Sequence, residues 1–162
     1  MRLGYILNLN LLTFSVFKRI LLEGKHDRSA GVVIVQEKDD DILFLALVKE
    51  NGKYDITKGI IEPGEDDLTC AVREAKEESG IVLTNKNFKW GLKSKSYGKG
   101  VAFIAASNDK PVVTPNPETG ILEHVGAKWV SFSEMIENVS TFLIPAIKWA
   151  HSVAIGKVDV DV

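Results

Sequence analysis

The sequence predicts an α/β fold in which helices cover both sides of a mixed β-sheet. Short runs of β-branched and large apolar residues alternate with helical segments, which is typical of this class. The chain has 162 residues, of which 45% are hydrophobic and 26% charged, and these values suit one folded domain. Its net charge of −2 lacks the positive excess with which proteins bind duplex nucleic acid, so no duplex partner is expected.

The number of cysteines bears on the cellular compartment of the protein. The single cysteine, Cys70, cannot form an internal disulfide, and we therefore expect a cytoplasmic location. One cysteine and three scattered histidines also do not supply a zinc framework.

Residues 1–28 are predicted to be an N-terminal extension packed on the domain. The stretch from Leu3 to Phe17 is apolar and uncharged, but Asn8 and Asn10 interrupt it, and charged residues follow from Lys18 without a small-residue cleavage site. We therefore favour a packed strand or helix over a signal peptide, and over a membrane span of about 20 apolar residues. No membrane partner is expected.

The domain itself is predicted over residues 29–155 and begins with a β-hairpin. Residues 30–35 and 42–48 are β-branched and apolar runs, and the charged segment between them suits a turn. A helix is predicted from Asp66 to Ser79, because this segment lacks glycine and proline, begins with acidic residues and is followed by Gly80.

The second half of the domain alternates again between strands and helices. Residues 107–120 contain three prolines and are predicted to be a long loop of the kind that forms a lid or a binding edge. Further strands are predicted at residues 88–97, 101–106 and 127–132, closing helices at 133–138 and 142–152, and a polar tail at 156–162.

Three glutamates share one stripe of the predicted helix. At 100° per residue, Glu74, Glu77 and Glu78 fall within about 100° of one another. Like charges at these spacings repel by a few tenths of a kcal/mol per pair, so the arrangement suits a site in which a divalent cation binds between them. Ligation by oxygen alone favours Mg²⁺ or Mn²⁺. The helix taken by itself nevertheless favours the ordinary alternative, a solvated acidic face.

A longer motif contains this helix. Gly59 is followed by five residues, Glu65, seven residues and then Arg-Glu-Ala-Lys-Glu-Glu-Ser-Gly-Ile at 73–81. This resembles the Nudix box, G-x5-E-x7-R-E-U-x-E-E-x-G-U, where U is aliphatic. All seven fixed identities are present, and Ala75 is a small residue at the first aliphatic position. The resemblance implies a Nudix-type α/β/α sandwich with a mixed sheet, and a pyrophosphohydrolase.

The same resemblance implies a metal site. Glu74, Glu77 and Glu78 would bind Mg²⁺, with Mn²⁺ as the alternative. Gly59 would allow the backbone to approach the metal closely, and the carbonyl of Lys58 would be a further oxygen ligand. Such a site neutralises a pyrophosphate and directs water at one phosphorus.

Catalytic roles follow from the resemblance as well. Arg73 would pair with a box glutamate and fix its orientation, and Glu65 lies where the loop joins the helix. The general base is left open between Glu74, Glu78 and a glutamate in a late loop, Glu123. Glu123 could equally be a surface charge at the start of a strand.

Residues flanking the box resemble those of dinucleoside tetraphosphate (Ap4A) hydrolases. Residues 54–66 are similar to the aromatic-x-x-Pro-Lys-Gly-x-x-Glu-Pro-Gly-Glu-Asp stretch of that branch, with Thr57 in place of the proline and Tyr54 in place of the tryptophan. Glu123-His124 followed by Trp129 is similar to a late Glu-His…Trp segment of the same enzymes.

A tyrosine beyond the box is also similar in position. Tyr97 shares one face of the predicted strand with Lys93 and Lys95. With Lys58, these residues are predicted to bind substrate, the lysines attracting polyphosphate and Tyr97 stacking on a base. The alternative is a solvated sheet edge protected by lysines.

These features predict a Mg²⁺-dependent enzyme that hydrolyses a nucleoside diphosphate linked to another moiety, first of all dinucleoside polyphosphates. Nucleoside triphosphates and RNA 5′ ends are the alternative substrates, and a non-catalytic nucleotide sensor is the alternative of another class. The expected partner is a small-molecule nucleotide, bound by a monomer or a homodimer.

Overall fold

The computed structural model describes residues 28–157. Apart from Arg28, the predicted N-terminal extension lies outside the described residues, and so does most of the predicted polar tail. Between residues 28 and 157 no helix has the length and apolar character needed to cross a membrane.

One mixed sheet forms the centre of the described part of the chain. Its seven strands are β1 Ser29–Lys38, β2 Asp41–Val48, β3 Tyr54–Asp55, β4 Thr57–Ile60, β5 Ser94–Tyr97, β6 Gly100–Ala106 and β7 Gly126–Val130. β1 is central, because it is antiparallel to β4 and β2 along one side and parallel to β6 along the other. β5 then pairs with β6, while β3 and β7 pair with β2.

The predicted hairpin is confirmed as β1 and β2. It closes through Asp39 and Asp40, whose φ angles of 50° and 63° lie in the left-handed region. A two-residue hairpin turn needs positive φ at both positions, and aspartate tolerates that conformation better than most residues.

Three α-helices occur within residues 28–157: α1 Asp67–Ser79, α2 Phe132–Asn138 and α3 Ile144–Ala154. α1 agrees with the prediction because its end signals are local. The Asp66 side chain accepts a hydrogen bond from the Thr69 N–H at 2.7 Å, and Gly80, at φ 72°, donates its N–H to the Lys76 carbonyl. The loop predicted at residues 107–120 has no regular structure.

The strand predicted over residues 88–97 is wrong in its first part. Only Ser94–Tyr97 is extended in the sheet, because Gly91 adopts a left-handed conformation, with φ 88°, and donates to the Phe88 carbonyl in a turn. The strand predicted over 127–132 ends earlier, at Val130, since the Ser131 side chain caps the start of α2.

Alternation along β1 divides the core between two faces of the sheet. Val32 and Ile34 pack beneath α1, whereas Val33 and Val35 point to the opposite face, which α2 and α3 cover. The molecule therefore has three layers, and the predicted α/β/α sandwich with a mixed sheet is confirmed. The layering sets α1 directly against β1 and β4, which fixes the position of its glutamates.

Candidate active site

The glutamates of α1 project over β4. The Glu78 side chain is buried, and its Oε1 accepts a 2.8 Å hydrogen bond from the backbone N–H of Lys58 on β4. The Glu74 carboxylate lies against Gly59, so closely that a Cβ atom at that position would collide with it. The absence of a side chain at Gly59 is therefore what lets the helix and the strand bring carboxylate and backbone together.

Arg73 holds the carboxylates of this site in place. Its guanidinium binds both oxygens of Glu65, through Nε at 2.8 Å and Nη2 at 2.9 Å. Its Nη1 donates to Glu74 at 2.8 Å and to Glu77 at 3.2 Å. One arginine thus joins the loop before α1 to two glutamates of the helix, as a planar guanidinium with five donors can do.

The three helix glutamates of the site have raised pKa values, because Arg73 does not offset their burial and mutual repulsion. Burial, together with repulsion from Glu77, raises the pKa of Glu74 to about 7, although Arg73 opposes the shift. Burial and repulsion from Glu74 raise the pKa of Glu78 to about 9. Burial also raises the pKa of Glu77. The pKa of Glu65, by contrast, is lowered by its hydrogen bonds from Arg73.

The late loop, residues 107–125 between β6 and β7, adds a fourth glutamate. The loop is anchored on the end of α1 by two hydrogen bonds. The Val112 N–H donates to the Ser79 carbonyl at 2.8 Å, and the Thr114 hydroxyl donates to the Glu77 carbonyl at 3.2 Å. A narrow cleft results, in which Glu123 faces the helix. It is lined by Glu74, Glu77, Glu78, Thr114, Asn116, Glu123 and His124.

These carboxylates fit a divalent cation. Glu78, Glu123 and His124 each offer one ligand atom, and the three atoms lie within 4.8 Å of one another. With the oxygens of Glu74 and Glu77 on the same cleft, most of the donors are hard oxygens, which is the set that Mg²⁺ and Mn²⁺ prefer.

A wider cleft opens beside the carboxylates. It has a volume of about 420 Å³ and shares Glu78, Glu123 and His124 with the narrow cleft. Its other lining residues are Lys49, Glu50, Asn51, Asp55 and Lys58. The Lys58 ammonium, predicted to bind substrate, therefore faces this cleft, where it lies 3.1 Å from the Asp55 carboxylate.

The structure does not bring the remaining predicted substrate-binding residues to these clefts. Tyr97 is only 5% exposed, its hydroxyl is hydrogen-bonded to Ser29 at 2.9 Å, and burial raises its pKa to about 12. Lys93 and Lys95 are exposed, and neither lines a cleft described above. Because Tyr97 points inward from an edge strand and packs near Phe142, its ring offers no open face to a base, contrary to the prediction.

Sequence reasoning missed two buried residues of the site, Asp55 and His124. They are 69 positions apart in the chain, and the His124 Nε2 atom lies 3.3 Å from the Asp55 carboxylate. The only signal was indirect: both belong to segments that resemble Ap4A hydrolases.

Comparisons with known proteins show the family and the fold. The family model described as NUDIX domain matches residues 25–150. A bis(5′-nucleosyl)-tetraphosphatase (asymmetrical) of Sus scrofa is 40% identical over 62 residues, which are 33% of this chain and 42% of that protein. The match therefore spans less than half the length of this relative.

Solved structures share the fold. A Caenorhabditis elegans Ap4A hydrolase binary complex is 22% identical, with a TM-score of 0.64, and covers 79% of this chain and 98% of that chain. The NUDIX domain of Shewanella oneidensis NrtR, complexed with ADP ribose, is 13% identical, with a TM-score of 0.57, covering 77% of this chain and 86% of that chain. Given the match over residues 25–150 and the complete box over residues 59–81, the chain belongs to the NUDIX domain family.

Proposed function

We propose that this protein is a Mg²⁺-dependent pyrophosphohydrolase acting on a nucleoside diphosphate linked to another moiety. The observation that carries the proposal is the convergence of four glutamates on one narrow cleft. Glu74, Glu77 and Glu78 come from α1, and Glu123 comes from the late loop. Such a convergence of hard oxygen donors is suited to a divalent cation rather than to a structural role, because the carboxylates repel one another without one.

Each group of residues has a part in the proposed reaction. The four glutamates would hold Mg²⁺ or Mn²⁺, together with the Lys58 carbonyl. When bound, the ion would neutralise phosphate charge and lower the pKa of water. Arg73 and Glu65 keep the helix carboxylates oriented by the contacts described above. The base that accepts the proton from water is one of Glu74, Glu78 and Glu123.

Dinucleoside polyphosphates are the proposed substrates. The wider cleft continues from the carboxylates toward Lys49 and Lys58, so a polyphosphate bound at the glutamates has ammonium groups further along its path. The names of the pig relative and of the C. elegans structure, a tetraphosphatase and an Ap4A hydrolase, support the same class. The buried cysteine Cys70 is consistent with the proposed cytoplasmic location. We predict a monomer or a homodimer.

A panel of substrates tests this proposal. Purified protein with Mg²⁺ is incubated with Ap4A, nucleoside triphosphates and 5′-triphosphorylated RNA, and the products are analysed in ¹⁸O-labelled water. We expect Ap4A to be cleaved fastest, with ¹⁸O in one product that identifies the attacked phosphorus. Faster cleavage of nucleoside triphosphates or of RNA would contradict dinucleoside polyphosphates as the substrate class and favour the faster substrate instead. Tight nucleotide binding without turnover would instead indicate a non-catalytic nucleotide sensor.

Glu77 gives the sharpest test of the metal site by mutation. Glu77→Gln is expected to lower kcat by at least about a hundredfold, since it removes a metal carboxylate, while the circular dichroism spectrum stays that of the wild type. Glu137→Gln, an exposed change on α2 across the sheet, is the matched control and should leave activity unchanged. Full activity in Glu77→Gln would remove Glu77 from the site.

A further inference from the structure

A buried polar pair lies behind the carboxylates and outside the Nudix box. Asp55 at the end of β3 is 3% exposed and His124 in the late loop is 5% exposed. Burying a carboxylate and an imidazole costs free energy unless both are hydrogen-bonded, so such a pair requires partners and an explanation.

The contacts of this pair form a closed ring of four residues. The His124 Nε2 atom lies 3.3 Å from Asp55 Oδ2, and its Nδ1 atom lies 3.4 Å from Glu78 Oε2. The Lys58 ammonium lies 3.1 Å from the same Asp55 oxygen, and the Lys58 backbone N–H donates to Glu78 Oε1 at 2.8 Å. Both oxygens of Glu78 therefore have neighbours within the ring, and Asp55 contacts both of those neighbours.

Asp55 is suited to this place because both of its carboxylate oxygens have polar partners. Its Oδ2 atom lies 3.3 Å from the His124 Nε2 atom and accepts a hydrogen bond from the Lys58 ammonium at 3.1 Å. Its other oxygen accepts the Ile56 N–H at 2.9 Å. A carboxylate oxygen accepts hydrogen bonds, so Oδ2 holds the Nε2 edge of the His124 ring and leaves Nδ1 on the edge that faces Glu78.

We propose that Asp55 and His124 are positioning residues that hold the Glu78 carboxylate in the orientation in which it faces Glu123 and the narrow cleft. Asp55 orients the His124 ring and the Lys58 side chain, and His124 in turn packs against the Glu78 oxygen that the Lys58 backbone N–H does not bind. Groups that orient metal ligands in this way commonly change metal affinity ten- to a hundredfold when removed. The inference rests on the proposed function in one respect, namely that Glu78 binds a divalent cation.

Mn²⁺ binding without nucleotide tests the inference directly. Free Mn²⁺ is titrated by electron paramagnetic resonance with the wild type, Asp55→Asn and His124→Gln. We expect the dissociation constant of each variant to rise about tenfold or more. His124→Gln is the cleaner variant, since it removes no carboxylate and a glutamine does not span both neighbours. It decides the matter alone where Asp55→Asn does not fold.

Two further variants separate positioning from simple loss of charge. Glu50→Gln removes a negative charge from the exposed rim of the same wide cleft, outside the ring, and should change Mn²⁺ affinity less than twofold. The double variant Asp55→Asn/His124→Gln should bind Mn²⁺ about as weakly as the weaker single variant, because the two residues act in series. Wild-type affinity in Asp55→Asn, an equal effect in Glu50→Gln, or additive losses would overturn the inference.

Pulsed electron paramagnetic resonance of bound Mn²⁺ distinguishes positioning from ligation. We expect no hyperfine coupling to a directly bound imidazole nitrogen, and such a coupling would make His124 a ligand and overturn its positioning role. The outcome is independent of turnover. A wild type that binds Mn²⁺, is weakened by both variants and yet hydrolyses no pyrophosphate would refute the proposed function and leave the inference standing.

Discussion

The smallest residue of the site has the most direct geometric role. Gly59 lies on β4, and the Glu74 carboxylate occupies the space that any side chain there would fill. The first position of the Nudix box is therefore a steric requirement, since it makes room for a carboxylate that Arg73 holds from the other side.

Substituting this glycine should separate activity from stability. Gly59→Ala is expected to push the flexible end of Glu74 out of position and to lower kcat about a hundredfold, the cost of misplacing a reacting group by about 1 Å. The melting temperature should fall only slightly, because a side-chain end and not backbone must move. Gly126→Ala, where an added Cβ meets no atom within 4 Å, is the control. Unchanged kcat would show that Glu74 tolerates the displacement.

Tyr97 is the residue at which resemblance and structure disagree. Tyr97→Phe removes the hydrogen bond to Ser29 but keeps the buried ring, so the free energy of unfolding should fall by about 1 kcal/mol. We expect KM for Ap4A to stay within about twofold of the wild-type value, because the ring is covered. A large rise in KM at unchanged stability would restore the predicted stacking role.

How far single residues could be predicted depends on how local their partners are. The spacing of the helix places Glu74, Glu77 and Glu78 on one stripe, so the sequence alone was sufficient to group them. Asp55 and His124 meet only because the late loop folds back on the end of α1 and β3, and no periodicity encodes that contact. The inward direction of Tyr97 was likewise set by which face of β5 the core covers.

Among the elements, α1 contributes both to the hydrophobic core and to the candidate active site. Its inner face buries Cys70, Ala71 and Ala75 against the sheet, and its outer stripe carries the glutamates. It could be predicted to within one residue because its caps are local signals. β3 and β4 were missed, since strands of two and four residues that contain polar groups are defined by their partners β2 and β1 rather than by a pattern of their own.

The N-cap of α1 can be tested on its own. Asp66→Ala removes the acceptor for the Thr69 N–H and should lower the free energy of unfolding by about 1 kcal/mol, measured by urea denaturation. Asp66→Asn keeps an acceptor oxygen and should remain close to the wild type. Equal losses in both variants would mean that the charge, and not the hydrogen bond, stabilises the helix start.

At the scale of the whole molecule, three layers hold two clefts around shared residues. The narrow cleft is lined by four glutamates and no lysine, whereas the wide cleft has Lys49 and Lys58 beside its acidic residues. The two clefts have Glu78, Glu123 and His124 in common. The net charge of −2 gives no indication of this difference between the clefts, which arises only on folding.

Stability should therefore depend on pH in an unusual direction. Glu74 and Glu78 have folded pKa values of about 7 and about 9, above the ordinary value of 4.5, so the metal-free folded state binds more protons than the unfolded state in this window. Their contribution to stability is complete below about pH 4.5 and is lost as pH rises through those folded values. In EDTA, the melting temperature should fall by several degrees between about pH 6 and about pH 9.

Adding Mg²⁺ should reverse this loss. The ion binds the ionised glutamates, so it should raise the melting temperature more at about pH 8.5 than at about pH 6, where protons compete for the same oxygens. Glu78→Gln should flatten the pH dependence in EDTA. A metal-free protein whose stability rises with pH over this range would contradict the assignment.

The central strand has a consequence for how the chain is made. β1 gains its parallel neighbour only when Gly100 pairs with Ser29, so synthesis on the ribosome must pass β6 before the sheet can close. Until then α1 packs on a sheet that lacks β5 and β6. We therefore expect folding to finish in one late step, because contacts between distant residues form slowly. A nascent chain paused after the Nudix box would expose the unpaired edge of β1 together with its apolar side chains. We expect a chaperone to cover this segment.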